Sequence, residues 1–389
     1  MNTPALCPET PCYRAEIKVD LLTPTVFLYS TVNNMAISRE LPSLQSITAF
    51  ESEFPSEDVI IVGDPVHSKF LLAGAVTANR SFTFFTAVRE ARRLVKIRVL
   101  QPSIKPEEPP EEILILTGSD WRELLVQYAE AVADKAGVKP MKPAENLTGY
   151  CTWYYYYTAV SAQDFQENLN ALQLHRESYP ARVVQIDDGY QTFMGDWFDR
   201  NERWPEPLET VARRIRKAGM KAGIWLMPFQ ASTASRLYRE HPDWCIHSPG
   251  RAPVESRNQL VLDMARSEVV DCIYNQISAM LSKYDISYVK WDMNRNITDN
   301  GSASLPAEAQ GEHTHRYILG VYSLMKRLTE NYPGVLFEGC AGGGGRFDFG
   351  ILYYMPQIWT SDDTDAIERL KIQYGTSLVY PPASMTAHV

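Results

Sequence analysis

Tyr288-Val289-Lys290-Trp291-Asp292-Met293-Asn294-Arg295 is the stretch on which the reading of the fold turns. It opens as a short run of strand-forming residues and ends polar. Just before it, Val269, Val270, Ile273, Ile277, Met280 and Leu281 recur at the period of one helix face. Side chains alternate along a strand, so Lys290, Asp292 and Asn294 share one face while Trp291 and Met293 take the other. A lysine, an aspartate and an asparagine converging at the C-terminal end of such a strand is the pattern of a parallel β/α barrel that carries its active site there. A buried structural ion pair is the plainer alternative.

The same grammar extends outward from Thr148. Strand-like runs fall at 149–157, 181–188, 221–229, 287–293, 334–340, 357–361 and 377–387. Between them lie further helical stripes, one of Leu208, Val211, Ala212 and Ile215, another of Ile318, Val321, Leu324, Met325 and Leu328. Alternation of strand and helix means a parallel sheet with crossover helices. A span of roughly 240 residues with polar residues at strand ends favours a (β/α)8 TIM-type barrel. No Gly-rich phosphate turn follows the first strand, which weighs against an open dinucleotide-binding sheet. Seven of eight strands are identifiable, and the seventh reaches the last residue. The expected organisation is an N-terminal β-rich domain over 1–117, a linking helix and connector over 118–147, and a barrel over 148–389 lacking its last unit.

Residues 13 to about 116 carry β-rich stretches (Thr25–Tyr29, Val59–Val62, Ser81–Phe85) between polar turns, which predicts a sandwich-like all-β module. Pro102 to Pro110 reads as an extended surface loop. Trp121, Leu124, Leu125, Tyr128 and Val132 then form the stripe of one amphipathic helix, capped by Ser119 or Asp120 and ended by Gly137 and Pro140.

Composition narrows the function classes. The chain has 389 residues, 45% hydrophobic and 22% charged, with a formal net charge of −9. That excludes disorder over most of the length. No run approaches the ~18 apolar residues of a membrane span. Met1–Cys7 lacks a basic region followed by an apolar one, so no secretory signal is expected. With 47 acidic against 38 basic residues, nucleic acid is not the expected partner. Six cysteines are scattered without a CxxC or a His pair at zinc spacing, which points to reduced thiols and a cytoplasmic location.

Four stretches carry chemistry. In the first, Lys290 beside Asp292 is expected to hold that carboxylate ionised, which suits a nucleophile. In Val184-Gln185-Ile186-Asp187-Asp188-Gly189-Tyr190, two adjacent carboxylates at a strand end can grip the vicinal hydroxyls of a sugar, with Gly189 permitting the turn. An Asp-Gly turn with a capping aspartate and a divalent-metal site are the alternatives, and no further ligands support the metal. In Trp359-Thr360-Ser361-Asp362-Asp363-Thr364-Asp365, clustered carboxylates repel, so one of them can serve as proton donor. Asp365 reads more simply as a first-turn helix residue, and spacing does not choose between Asp362 and Asp363. Glu338-Gly339-Cys340-Ala341-Gly342-Gly343-Gly344-Gly345-Arg346 lacks the Lys-Ser/Thr of a phosphate loop, and its glycines instead let backbone N–H groups approach a ligand. Trp153, Trp225 and Trp359 offer apolar platforms for a pyranose or else ordinary core. Arg257 is a candidate ligand-binding cation or a surface residue.

Together these motifs resemble glycoside hydrolase family 36, the α-galactosidases. The carrying stretches are Ile186–Gly189, Val289–Arg295, Cys340–Asp348 and Trp359–Leu370, so the resemblance is strong over about 148–389 and weak before it. It implies Asp292 as nucleophile and Asp362 as acid/base, with Asp187 and Asp188 on the galactose 4- and 6-hydroxyls. It also implies that Lys290, Asn294, Arg257, Cys340 and Gly342 line the sugar subsite, with Trp153, Trp225 and Trp359 as its aromatic walls. No metal or organic cofactor is implied. Trp225-Leu226-Met227-Pro228-Phe229 follows the family's shorter members rather than its larger ones, which touches leaving-group preference. The family supplies an eighth βα unit and a C-terminal β domain beyond Val389, so the resemblance implies a C-terminally truncated scaffold.

The expected function is a retaining exo-α-galactosidase acting on α-1,6-linked galactosides of the melibiose and raffinose type, with a homo-oligomer as a possible assembly. A galactosyltransferase of raffinose-synthase type is the nearest alternative, and a non-catalytic galactoside-binding fragment is the other.

Overall fold

The computed structural model describes residues 12–22, 25–30, 43–47, 54–78, 80–89, 93–102, 104, 107–138, 147–295, 297 and 300–387. Met1–Cys7, Pro140 and the connector over 139–146 lie outside them. The chain divides into two compact units. One comprises Met1–Pro140, Asp348–Tyr353 and Thr360–Val389, the other Met141–Phe347 and Tyr354–Trp359.

In the first unit, strands β1 (Cys12–Asp20), β2 (Thr25–Ser30), β3 (Ser43–Ile47), β4 (Phe54–Glu57), β5 (Val59–Asp64), β6 (Lys69–Ala75), β7 (Phe84–Arg89), β8 (Leu94–Pro102) and β9 (Ile113–Gly118) precede helix α1 (Trp121–Ala136). They form two antiparallel sheets, in the orders β1-β8-β7-β4 and β3-β2-β5-β6-β9. β8 buries every second residue, with Val95, Ile97, Val99 and Gln101 inside, as a half-buried strand must. Val95, Ile97 and Val99 join Phe85 and Ala87 of the same sheet and Ile60, Val62 and Ala73 of the other in one core. The strand expected at Ser81 begins only at Phe84, because Ser81 and Thr83 are buried polar residues tied into the hydrogen-bonding of Glu111 and Gln101. α1 has Asp120 as its cap and ends at Gly137 in the left-handed conformation, φ 68°, where a side chain would be strained.

In the second unit the order is β10 (Gly149–Cys151), α2 (Trp153–Tyr156), α3 (Ala162–Leu174), β11 (Val183–Ile186), α4 (Leu208–Lys217), β12 (Lys221–Leu226), β13 (Gln230–Ser232), α5 (Arg236–Glu240), β14 (Gln259–Val261), α6 (Ser267–Tyr284), β15 (Tyr288–Trp291), α7 (His313–Asn331), β16 (Leu336–Gly339), α8 (Phe349–Tyr354, shared with the first unit) and β17 (Gln357–Trp359). The strands β10, β11, β12, β15, β16 and β17 are neighbours in that order and each pair is parallel. β11 and β15 are buried on both faces, as strands between covering helices are. The stripes of α4 and α6 face inward. Each large aliphatic side chain buried this way contributes about 1.5–3 kcal/mol.

Every strand expected over 148–389 is shorter than its run in the sequence implied, and the first, third and last stop for identifiable reasons. The first strand stops at Cys151, and the aromatic run from Trp153 turns into α2, so Trp153 sits beyond the strand. The side chain of Thr152 accepts the backbone N–H of Asp187, a tertiary contact that overrides the strand propensity of these aromatics. The third strand stops at Leu226, before Pro228, which has no N–H for a ladder. The final run is mostly not strand: helix α9 (Ala366–Ser377) reaches into it, Pro381 and Pro382 interrupt it, and only β18 (Met385–Thr386) remains. β13 and β14 form an antiparallel ribbon after β12 that periodicity did not predict.

Candidate active site

The C-terminal ends of β10, β11, β12 and β15 bring a group of polar side chains together. Asp187 follows β11 directly and is 1% exposed. Its Oδ2 accepts from Gln185 Nε2 (2.7 Å), Cys151 Sγ (3.1 Å) and Lys290 Nζ (3.1 Å), while Oδ1 accepts the N–H of Asp188 (2.9 Å). Gln185 lies two residues before Asp187, on the same strand face, and Cys151 sits opposite Gln185 in the parallel register. Both are site residues that the sequence reading missed. The period of two was a usable signal for Gln185, whereas Cys151 needed the register.

Lys290 lies on β15 with its ammonium 4.4 Å over the ring of Trp359. Burial works against its charge. The Asp187 carboxylate outweighs that, helped by Cys340, Cys151 and Asp292, and lifts the ammonium well above the ordinary lysine range. The ion partner of Lys290 is therefore Asp187, across two strands, rather than its own-strand neighbour Asp292. Burial also pushes the Cys151 thiol well up, with the nearby Asp187 charge adding to it.

Asp292, the first residue past β15, is held by neutral donors. Oδ2 accepts from Trp225 Nε1 (3.0 Å) and Asn294 Nδ2 (2.7 Å), and Oδ1 accepts the N–H of Met293 (2.8 Å). Asn294 turns its own Oδ1 to the N–H of Gly342 (2.7 Å). That amide, expected to face a ligand, thus serves to fix Asn294. Trp225 is 1% exposed with Trp197 against its edge, so it acts through its indole N–H and not as an open platform. Trp359 is likewise buried, stacked on Tyr154 with ring centroids 5.9 Å apart and donating to the Tyr154 hydroxyl. Cys340 is buried, its N–H given to the carbonyl of Trp291. Trp153 is half-buried with Tyr157 edge-on at 5.3 Å.

Asp188 shares the strand end. Gly189 after it has φ 123°, and a Cβ there would lie 2.7 Å from the Thr158 carbonyl oxygen, so only glycine makes this turn. Gln191 Nε2 donates to Asp188 Oδ1 (2.6 Å), a partner three residues on that sequence reading also missed. Burial pushes the Asp188 carboxyl up to about 6. The Gln191 bond draws it down, Asp187 and Asp292 raise it, and Arg257 lowers it. Arg257 itself is exposed in a tight turn.

A buried carboxyl raised from 3.8 to about 6 favours the folded state fully only below the unfolded value, and that contribution is lost as pH rises through 6. Replacing the charge with an amide removes the loss. Asp188→Asn should stabilise the protein by about 3 kcal/mol at pH 8 and by only about 1 kcal/mol at pH 4.5, read from urea unfolding at the two pH values. A gain independent of pH would contradict this account of Asp188.

In the first unit, Asp365 caps α9, accepting the N–H groups of Ile367 (2.9 Å) and Glu368 (3.1 Å). Asp363 accepts the N–H of Asp365 (2.9 Å) and so is engaged in the turn before the helix. Asp362 is half-buried beside it. Among the described residues, no cluster of three or more His, Cys, Asp or Glu side chains has metal-holding geometry. No described helix is long and apolar enough to cross a membrane.

A family model described as Melibiase matches residues 175–389, more than half of the chain. The chain belongs to the melibiase family. The α-galactosidase AgaA of Geobacillus stearothermophilus is 51% identical over 214 residues, which is 53% of this chain and 29% of that protein. Alpha-galactosidase 1 of Pediococcus pentosaceus is 40% identical over 290 residues, covering 72% of this chain and 39% of its own length. Among solved structures, an AgaA variant in complex with stachyose superposes with a TM-score of 0.81 at 30% identity, covering 96% of this melibiase-family chain and 55% of that one. The chain thus spans about a third of the length of these curated relatives by sequence, and about half of the solved chain.

Proposed function

We propose that the chain hydrolyses terminal α-1,6-linked galactose from oligosaccharides of the melibiose and raffinose type, with retention of configuration. The observation that carries this reading is Asp292: a carboxylate 4% exposed, at the end of a central parallel strand, fixed by three N–H donors. Fixed donors hold the anion in one orientation and stabilise it again as the leaving group of a glycosyl ester. Oδ1 accepts one bond where Oδ2 accepts two, so Oδ1 has the freer lone pair for attack on C1. Asp188, next to the anchored Asp187, accepts from galactose hydroxyls, and Arg257 supplies a donor beside it. Asp362, assigned by the family resemblance, protonates the departing oxygen and then takes a proton from the incoming water, so that two displacements restore the α configuration. The relatives named as α-galactosidases, and the stachyose bound to one of them, support the same substrate class. A (β/α)8-type barrel over 148–389 that lacks its last unit, a sandwich-like N-terminal domain and a cytoplasmic setting belong to this reading.

Asp362→Asn tests it. The rate on raffinose should fall by about 10²–10⁴-fold, whereas p-nitrophenyl α-galactoside, whose leaving group hardly needs a proton, should lose far less in its first displacement. Equal losses in the burst phases of both would remove Asp362 from the role of acid.

A further inference from the structure

Arg295 is buried, 5% exposed, three residues after Asp292. Among the described residues no carboxylate lies within ion-pair distance of it. Its guanidinium instead spans two backbone carbonyls: Nη1 donates to Gln259 O (2.6 Å) and Nη2 to Val254 O (2.8 Å). Those carbonyls flank a two-residue hairpin turn, Arg257–Asn258, closed by Ser256 N–H to Gln259 O (3.1 Å) and Gln259 N–H to Ser256 O (3.0 Å). Both central residues have positive φ, 56° for Arg257 and 58° for Asn258. Such a turn ordinarily takes Asn-Gly, and an arginine in its first position is strained. Strain of this kind persists only where surrounding contacts over-determine the backbone.

A buried charge given to two neutral carbonyls is an expensive clamp for a surface turn, unless the placing of that turn matters. The turn carries Arg257, whose side chain is exposed, has no protein partner among the described residues, and exerts its charge on Asp188. The segment Asp292–Arg295 meanwhile holds the other side of the site, since Asn294 fixes the Asp292 carboxylate. We propose that Arg295 is a positioning residue that locks the strained Arg257–Asn258 turn in register with Asp292, so that the Arg257 guanidinium is presented to a bound galactose. The proposal rests on the galactoside site described above and adds to it the residue that sets one of its donors.

The test uses the full chain with free galactose as probe. A lost charged hydrogen bond corresponds to roughly a tenfold change in Kd. Arg295→Met and Arg257→Ala should each weaken galactose binding by about tenfold, and the double variant should also lose about tenfold rather than about a hundredfold, since both remove one interaction. Asn258→Gly, which takes positive φ without strain, should restore most of the affinity in the Arg295→Met background. Multiplying losses, or no rescue by glycine, would overturn the positioning role. Hydrogen exchange reads the clamp without ligand: the Ser256 and Gln259 amides should lose protection in Arg295→Met, and unchanged protection would overturn the clamp itself. Absence of galactose binding by the unmodified chain would instead overturn the site reading and the ligand half of this proposal with it.

Discussion

Lys290→Met should lower the stability of the second unit by about 3–5 kcal/mol, the cost of leaving a buried ion without its partner. For a unit of this size that is a fall in Tm on the order of 10 °C. The reason is Asp187. Its carboxylate is almost wholly out of water, and without Lys290 it keeps only the neutral donors of Cys151, Gln185 and its own backbone neighbour. The methionine fills the space of the lysine stem, so the loss is electrostatic and not a cavity. Adding Asp187→Asn should then recover more than half of the lost stability, because the amide keeps an acceptor and sheds the charge. Thermal unfolding of the two single variants, the double and the parent decides it. A double variant less stable than Lys290→Met would show that the pair is not what holds these strands together.

The second large effect falls on rate. Asp292→Ala should reduce turnover of p-nitrophenyl α-galactoside by on the order of 10⁴-fold or more, as expected when a covalent nucleophile is removed. Removing a side chain that only supported the fold would lower the fraction of folded protein and not the rate per folded molecule. Azide separates the two cases. In the space vacated by the carboxylate it can attack C1 from the same side, displacing the nitrophenolate and leaving a galactosyl azide of inverted configuration. Rate recovery in azide with that product places Asp292 at the reacting carbon. A folded Asp292→Ala protein with unchanged turnover would dismiss it.

What could be read from the sequence followed from local periodicity, and what could not came from contacts between distant parts of the chain. The stripes of α4, α6 and α7 and the alternation with parallel strands were legible because burial imposes period on each element by itself. Strand ends were not: the Trp153–Tyr157 run has the composition of a strand, and only the contact of Thr152 with Asp187 shows why the chain turns there. Lys290 illustrates the same limit. Face alternation groups it with Asp292 and Asn294, which lie just past the end of β15, but its ion partner follows another strand, 103 residues away in sequence. Gly342 was expected to offer its N–H to a ligand, and instead gives it to Asn294, a pairing no spacing rule reports. The choice between Asp362 and Asp363 was open on spacing, which reports neither the turn before α9 nor the bond that Asp363 accepts in it. The ribbon of β13 and β14, with the strained turn leading into it, left no mark because each strand is only three residues long.

The most direct measurement is the mass of a trapped intermediate. A galactosyl fluoride bearing a second fluorine on the sugar ring has a good leaving group and a slowed second step, so the glycosyl ester accumulates on whichever carboxylate attacks C1. Incubation of the full chain followed by peptide mapping should find one fluorogalactosyl group, on the peptide that contains Asp292 and on the Asp292 side chain within it. No adduct, or an adduct carried by any other residue, would contradict the account.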